Sequence, residues 1–289
     1  MKQSAVYQYG RIAAFAMIGH PRFYTPLSAM RRFSGSLSGA KNGTTSVEAA
    51  GEDGDLRIWK TPLGDVATNK AEWREHVEFL IQEFERNVYL GGPVQIRSGD
   101  VVLDIGANIG LFSRQAVAAG ARRVLALEPA PSTARALERN LAAALVAGTV
   151  SVLRKGAWDS HDTLRFTVYP GQPGRSSLEL RPSAEDAYDI PIDVLPIDAL
   201  VAEFSFERVD FIKMDIEGAE IHALKGASET LAKFKPRLAI SVEHTEDVLK
   251  NAIGVRETVI QIQPSYRCIP GPFLITKQRL LVPEILFFV

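Results

Sequence analysis

Val101-Val102-Leu103-Asp104-Ile105-Gly106-Ala107-Asn108-Ile109-Gly110-Leu111-Phe112 is the stretch on which the reading of this chain turns. Val101 to Leu103 is short, apolar and rich in β-branched residues, as a central parallel strand must be. Asp104 stands where the strand runs out. Gly106 and Gly110 allow a sharp turn and a close approach of the backbone. A helix then starts near Leu111, with its first amides turned towards the loop.

Downstream, strand and helix patterns alternate. A strand at Arg123–Leu127 ends in Glu128-Pro129. A helix from about Ser132 carries Leu137, Leu141 and Leu145 on one face. The third strand, Val150–Leu153, runs towards Lys155-Gly156-Ala157-Trp158-Asp159. Further on, Val209–Asp215 leads into a helix after Gly218, with Ile221, Leu224, Leu231 and Phe234 inward. Arg237–His244 leads into another helix from Thr245. Strand-like pieces near Tyr266–Ile269 and at Glu284–Val289 are placed to close the sheet as an antiparallel hairpin. Such alternation predicts a mostly parallel sheet covered on both faces.

Two regions depart from this rhythm. Residues of about 160–197 alternate with period two at Leu164–Tyr169, Ser177–Leu180 and Ile190–Val194, with Pro191 suited to an edge. This predicts an antiparallel insertion, either a flap over substrate or a guard on a sheet edge. Upstream, Glu72–Leu90 reads as a helix whose Val77, Leu80, Ile81, Phe84 and Val88 form one stripe. Gly91-Gly92-Pro93 stops it, and it is expected to wall the ligand pocket. Arg57-Ile58-Trp59 up to Thr61-Pro62-Leu63-Gly64 reads as a short strand and turn. Ser34–Gly39 and Asn42–Ser46 have linker composition. Ile12–Ile18 is followed by His20-Pro21-Arg22 and lacks a small-residue cleavage site, so a packing or cap segment is expected there. The expected division is an N-terminal extension with its cap helix over 1–92, and a Rossmann-like domain over 93–289.

Composition narrows the function classes. The 289 residues are 46% hydrophobic and 23% charged, enough for a sizeable core. A formal net charge of −1 offers no basic footprint for nucleic acid. Cys268 is the single cysteine, which excludes an intrachain disulfide and a cysteine zinc site and suits a cytoplasmic setting. The five histidines show no ligand spacing, so no metal is expected. No apolar run reaches membrane-spanning length. The sequence is silent on self-association, and a homo-oligomer is compatible with it.

The glycine turn also separates cofactor classes. A dinucleotide calls for G-x-G-x-x-G against its pyrophosphate. Here the glycines fall as G-A-N-I-G, and a carboxylate aimed at the turn would repel phosphate. S-adenosylmethionine carries a sulfonium and an ammonium, which a carboxylate favours. Ligands of open parallel sheets bind beyond the carboxyl ends of the strands. Those ends carry Asp104, Glu128, Asp159, Asp215 and His244. Glu128, about 20 residues past the turn, is placed to accept hydrogen bonds from a ribose. Ala157 and Trp158 are placed to flank an adenine. Lys213, Asp215 and Glu217 share a side of their strand, and Asp215 is nearest the rim. His244 ends the neighbouring strand as a proton acceptor near neutral pH.

With both clusters in view, the sequence resembles the FkbM family of S-adenosylmethionine-dependent methyltransferases. The resemblance rests on VVLDIGANIGLFS (101–113), the LEP at 127–129, VDFIKMDIEGAEIHALKGA (209–227) and SVEH (241–244). It implies an α/β class I methyltransferase fold with a seven-stranded sheet. It also implies S-adenosyl-L-methionine as cofactor and, in many members, methyl transfer to oxygen. Asp104, Gly106, Asn108 and Gly110 would hold the methionyl part, with Glu128 and Pro129 at the ribose. Asp215, Glu217 and His244 would lie at the transfer site. The acceptor stays open among the hydroxyls of sugars, lipids and polyketides, with nitrogen also open as the atom methylated. The competing readings are a nicotinamide-dependent oxidoreductase and a non-catalytic cofactor-binding module.

Overall fold

The computed structural model describes Phe23 and residues 46–169, 187–245, 247–275 and 281–289. The linker-like stretches up to residue 45, Ile12–Ile18 and Ser177–Leu180 lie outside these residues.

The chain opens with β1 (Glu48–Asp53), β2 (Leu56–Thr61) and β3 (Gly64–Asn69), then α1 (Arg74–Arg86). Next come β4 (Val101–Ile105), α2 (Leu111–Ala118), β5 (Arg123–Leu127), α3 (Pro131–Asn140), α4 (Ala142–Val146) and β6 (Val150–Leu153). The insertion supplies β7 (Gly156–Ala157), β8 (Asp162–Val168) and β9 (Tyr188–Leu195). Then follow α5 (Ile197–Glu203), β10 (Phe211–Met214), α6 (Glu220–Lys225), α7 (Ser228–Phe234), β11 (Arg237–Ser241) and α8 (Val248–Ile262). The end is β12 (Cys268–Pro270), β13 (Phe273–Ile275), β14 (Leu281–Pro283) and β15 (Ile285–Phe288).

The main sheet has seven strands in the order β12-β15-β11-β10-β4-β5-β6. β11, β10, β4, β5 and β6 run parallel, while β15 is antiparallel to β11 and β12. The expected seven-stranded, mostly parallel sheet with an antiparallel close is therefore present. The chain also adds a small β13–β14 pair.

Strand periodicity sorts the core into two layers. Leu103, Ile105, Leu125, Leu127, Ile212, Met214, Leu238 and Ile240 pack with α7 and α8 on one face. Val102, Val124, Ala126, Phe211 and Ala239 pack with Phe112, Ala116 and Leu137 from α2 and α3 on the other. Asp104 shares the parity of Val102. Its side chain therefore projects under α2 and not out over the rim.

Two expectations need correction. The N-terminal extension is more than a cap helix with the short strand expected at Arg57–Trp59, because that strand, as β2, is flanked by β1 and β3 in an antiparallel sheet. β1 (EAAGED) is exposed throughout and carries no alternating pattern from which to read a strand. This sheet is locked to the main one by Asn140. Its Oδ1 accepts from Ala67 N at 2.7 Å, and its Nδ2 donates to Ala67 O and Ile109 O at 2.9 and 2.8 Å. Secondly, the insertion lies outside the parallel sheet. β8 and β9 pair antiparallel and β9 pairs with β7, giving a separate three-stranded sheet. Phe166, Val168, Ile192 and Val194 bury one face of it against Ala130 and Trp158.

The helix expected over Glu72–Leu90 ends earlier, at Arg86, where Asn87 takes a left-handed φ of 52°. Val77, Ile81 and Val88 are buried as the stripe requires. Among the described residues, no helix is long and apolar enough to cross a membrane.

Candidate active site

A cleft lies beyond the carboxyl ends of β4, β5 and β10, as expected of an open parallel sheet. Gly106, Asn108, Glu128, Pro129 and Ala157 line it, with Phe166 from the insertion and Asp215 and Glu217 opposite. It encloses about 640 Å³, open mouth included. A second cavity, of about 520 Å³, shares Gly106, Asn108 and Asp215. Leu80, Glu83 and Phe84 of α1 form its wall, together with Val88 and Tyr89. The helix upstream of the glycine turn thus does wall a pocket.

The floor is built by close contact. Gly106 has φ +76°, and a Cβ placed on it would lie 1.9 Å from the carbonyl oxygen of Asp215. Its absent side chain lets β4 and β10 end against each other. Asn108, also left-handed at φ 49°, donates its backbone N–H to Glu128 Oε2 at 3.0 Å. Ala130 N donates to the other oxygen, Oε1, at 2.9 Å. The Glu128 carboxylate is thereby fixed at the cleft edge. Burial raises its pKa to about 7, against the pull of these two amides.

Asp104 does not line either cavity. It is fully buried, takes a hydrogen bond from Ser113 Oγ at 2.6 Å on Oδ2, and faces Lys213 Nζ at 3.4 Å on Oδ1. Lys213 also donates to the carbonyl oxygen of Gly106 and lies under the Tyr89 ring, 5.1 Å from its centroid. The first acid of the motif is thus a pillar beneath the turn. Gly110 is likewise used for packing, since a Cβ there would meet Leu137 Cδ1 at 2.5 Å. Asp159 is drawn away to His222 at 2.6 Å, and Trp158 stacks on that imidazole at 3.9 Å instead of lining the cleft.

Asp215, Glu217 and His244 come together. His244 Nε2 lies 3.0 Å from Asp215 Oδ1, and His244 Nδ1 lies 3.3 Å from Glu217 Oε2. Glu217 is held there by a left-handed backbone, φ 55°. Tyr89 donates its hydroxyl to Asp215 Oδ2 at 2.6 Å. Burial alone would raise the Asp215 carboxyl, but the imidazolium of His244, with Lys213 and Tyr89, holds it well below the usual carboxylate range. Burial alone would lower His244, yet Asp215, Glu217 and Glu243 hold it well above the usual imidazole range. This surrounding of carboxylates favours the protonated imidazole of His244. Tyr89 was not legible in the sequence, because its partner lies 126 residues away and no motif surrounds it.

The strand order, the cleft at the strand ends and the fixed carboxylate just past β5 define a class I methyltransferase fold. The sequence profile described as "Methyltransferase FkbM domain" matches residues 104–255, more than half of the chain. The chain belongs to this family of methyltransferases. It is 30% identical to the 31-O-demethyl-FK506 methyltransferase FkbM of Streptomyces tacrolimicus, over 59% of this chain and 75% of that protein. It is 31% identical to methyltransferase sdnD of Sordaria araneosa, over 46% of this chain and 62% of that protein. The crystal structure of methyltransferase FkbM from Methylobacillus flagellatus KT superposes with a TM-score of 0.50 at 25% identity, over 74% of this chain and 52% of that one. The chain thus spans less than two thirds of sdnD and about half of the solved relative.

Proposed function

We propose that this protein transfers a methyl group from S-adenosyl-L-methionine to a hydroxyl of a small molecule, with sugars, lipids and polyketides as the acceptor classes to try. The cleft chemistry carries the reading. Glu128, Asp215 and Glu217 line it, against Lys155 as the one cation among its lining residues. Three carboxylates suit a ribose, a sulfonium and an ammonium, and they repel a pyrophosphate. The apolar lining, Ile105, Leu127, Pro129, Ala157 and Phe166, suits a purine ring. The nicotinamide reading fails on the same ground.

When bound, the cofactor supplies a methyl on a sulfonium leaving group. The residues of this chain have two tasks. Glu128 anchors the nucleoside end and so aligns the methyl with its acceptor, where alignment is worth up to roughly 7–11 kcal/mol. Asp215 and His244 meet the acceptor hydroxyl. Methylating a neutral hydroxyl makes a strongly acidic protonated ether, so even the low-pKa carboxylate of Asp215 can accept that proton.

Two measurements test the reading. Calorimetric titration with S-adenosylmethionine is followed by an acceptor screen with labelled donor. His244→Asn should keep donor affinity, Asp215→Asn should weaken it only modestly, and both should slow turnover by about 10²-fold, the lower end for lost proton transfer. Full turnover in both variants rules the pair out.

Donor affinity should also depend on pH through Glu128. Its raised pKa leaves a carboxylic acid, a poorer acceptor, below neutrality. Lys213, Asp104 and Lys155 are the charged groups around it. Affinity should rise roughly tenfold from about pH 6 to about pH 8, following the ionised fraction of a group titrating near 7. Glu128→Gln should flatten that rise, and an unchanged slope in this variant contradicts the assignment.

A further inference from the structure

We infer that the cavity walled by α1 takes the acceptor, and that the acceptor is a neutral alcohol with a hydrocarbon body and not a sugar. The inference deepens the methyl-transfer reading and rests on it. The cavity encloses about 520 Å³, open mouth included, a common size for a small-molecule site. It joins the donor cleft through Gly106, Asn108 and Asp215, which line both. A molecule seated here therefore reaches Asp215 without entering the cleft beside Glu128. Its hydroxyl oxygen bonds the methyl carbon as the carbon–sulfur bond breaks to leave a neutral thioether, and its proton passes to the Asp215 carboxylate.

The lining decides the chemistry of the acceptor. Leu80 and Phe84, four residues apart and so on one side of α1, line the cavity with Ile109, Leu111 and Phe112 from the glycine turn and α2. The polar groups among the lining are mostly tied to their own neighbours. Gln115 Nε2 donates to Asn87 Oδ1, and Asn87 Nδ2 donates to Glu85 O at 3.3 Å. Lys213 is committed to Gly106 O and Asp104, and Asp215 Oδ2 accepts from Tyr89. A sugar would bring several hydroxyls into this cavity and find few partners for them, and each one buried without a bond weakens binding. A hydrocarbon body has no such loss and gains by leaving water. Glu83 is the other acid of the lining. Burial, with Asp215 and Glu284 nearby, raises its pKa to about 7. Together with Asp215 it disfavours an anionic acceptor. This wall is also particular to the chain, because residues 80–89 lie upstream of the profile match at 104–255.

The test is saturation-transfer NMR of the full chain with cyclooctanol as the probe, with and without saturating S-adenosylhomocysteine. Cyclooctanol should bind saturably in both cases, with half-saturation at about 1 mM or below. Methyl glucoside and cyclohexanecarboxylate should give no saturable binding in that range. Phe84→Gln and Leu80→Gln should each weaken cyclooctanol by at least about fivefold, and both should bind S-adenosylhomocysteine as the parent does. Phe79→Gln, on the same helix but 49% exposed and outside the cavity lining, should leave both affinities unchanged. Circular dichroism checks that each variant folds. Equal cyclooctanol affinity in all three variants, or a sugar bound as tightly as the alcohol, overturns the inference. Displacement of cyclooctanol by S-adenosylhomocysteine also overturns it, since the cavity then belongs to the methionyl end of the donor. A chain that binds donor but not cyclooctanol loses only this inference. A chain that takes cyclooctanol but neither donor nor S-adenosylhomocysteine loses the methyl-transfer reading, and with it the role given to the cavity.

Discussion

Gly106→Ala should unfold the rim of the sheet and abolish donor binding together. The added Cβ would stand 1.9 Å from the carbonyl oxygen of Asp215, 2.9 Å from its carbon and 3.0 Å from Ile216 Cγ2. The nearest obstacles are backbone atoms of the strand beside it, so no rotamer change relieves the clash. The φ of +76° adds about 1–2 kcal/mol for any residue with a Cβ. The total should exceed about 4 kcal/mol, the range of the rare severe substitutions. Gly148→Ala is the control. Its φ is +71° with nothing within 4 Å of the added atom, so it should cost only the backbone part. Urea unfolding of both variants decides the matter. If Gly106→Ala loses no more stability than Gly148→Ala, the contact between β4 and β10 is not the constraint described.

Lys213→Met is the second severe case. Lys213 and Asp104 face each other with side chains 5% and 0% exposed. Removing the ammonium leaves a carboxylate with no counter-charge at a position that water does not reach. Losing one partner of a buried pair costs about 3–5 kcal/mol. Asp104→Asn added to Lys213→Met should recover most of that loss, since the neutral amide can still accept from Ser113 Oγ, which Asp104 meets at 2.6 Å. A double-mutant cycle in urea measures the coupling. Additive losses would show that the two groups do not act as a pair.

The same pair shows where sequence reading reached and where it stopped. The strand, turn and helix around Gly106 were legible because apolar runs and glycines fix backbone shape locally. Asp215, Glu217 and His244 were legible as neighbours because parallel strand ends share a rim. Asp104 was expected to face the cofactor. Its parity with Val102 turns it under α2, where Lys213 answers its charge, so it contributes to the floor without touching the cleft. Trp158 follows β7 as expected, but its ring finds His222. The β1 strand escaped notice because a fully exposed strand has no hydrophobic alternation. Tyr89 escaped because nothing local distinguishes it from any other aromatic residue at the end of a helix.

The bond from Tyr89 to Asp215 also bears on how this enzyme class can be recombined. The part that matches the family profile starts at residue 104, downstream of the tyrosine and of the wall helix. A chimera spliced at that border would import a foreign segment opposite Asp215, with its own choice of hydroxyl or none. Grafts between relatives should carry residues 72–92 as one cassette with the downstream half.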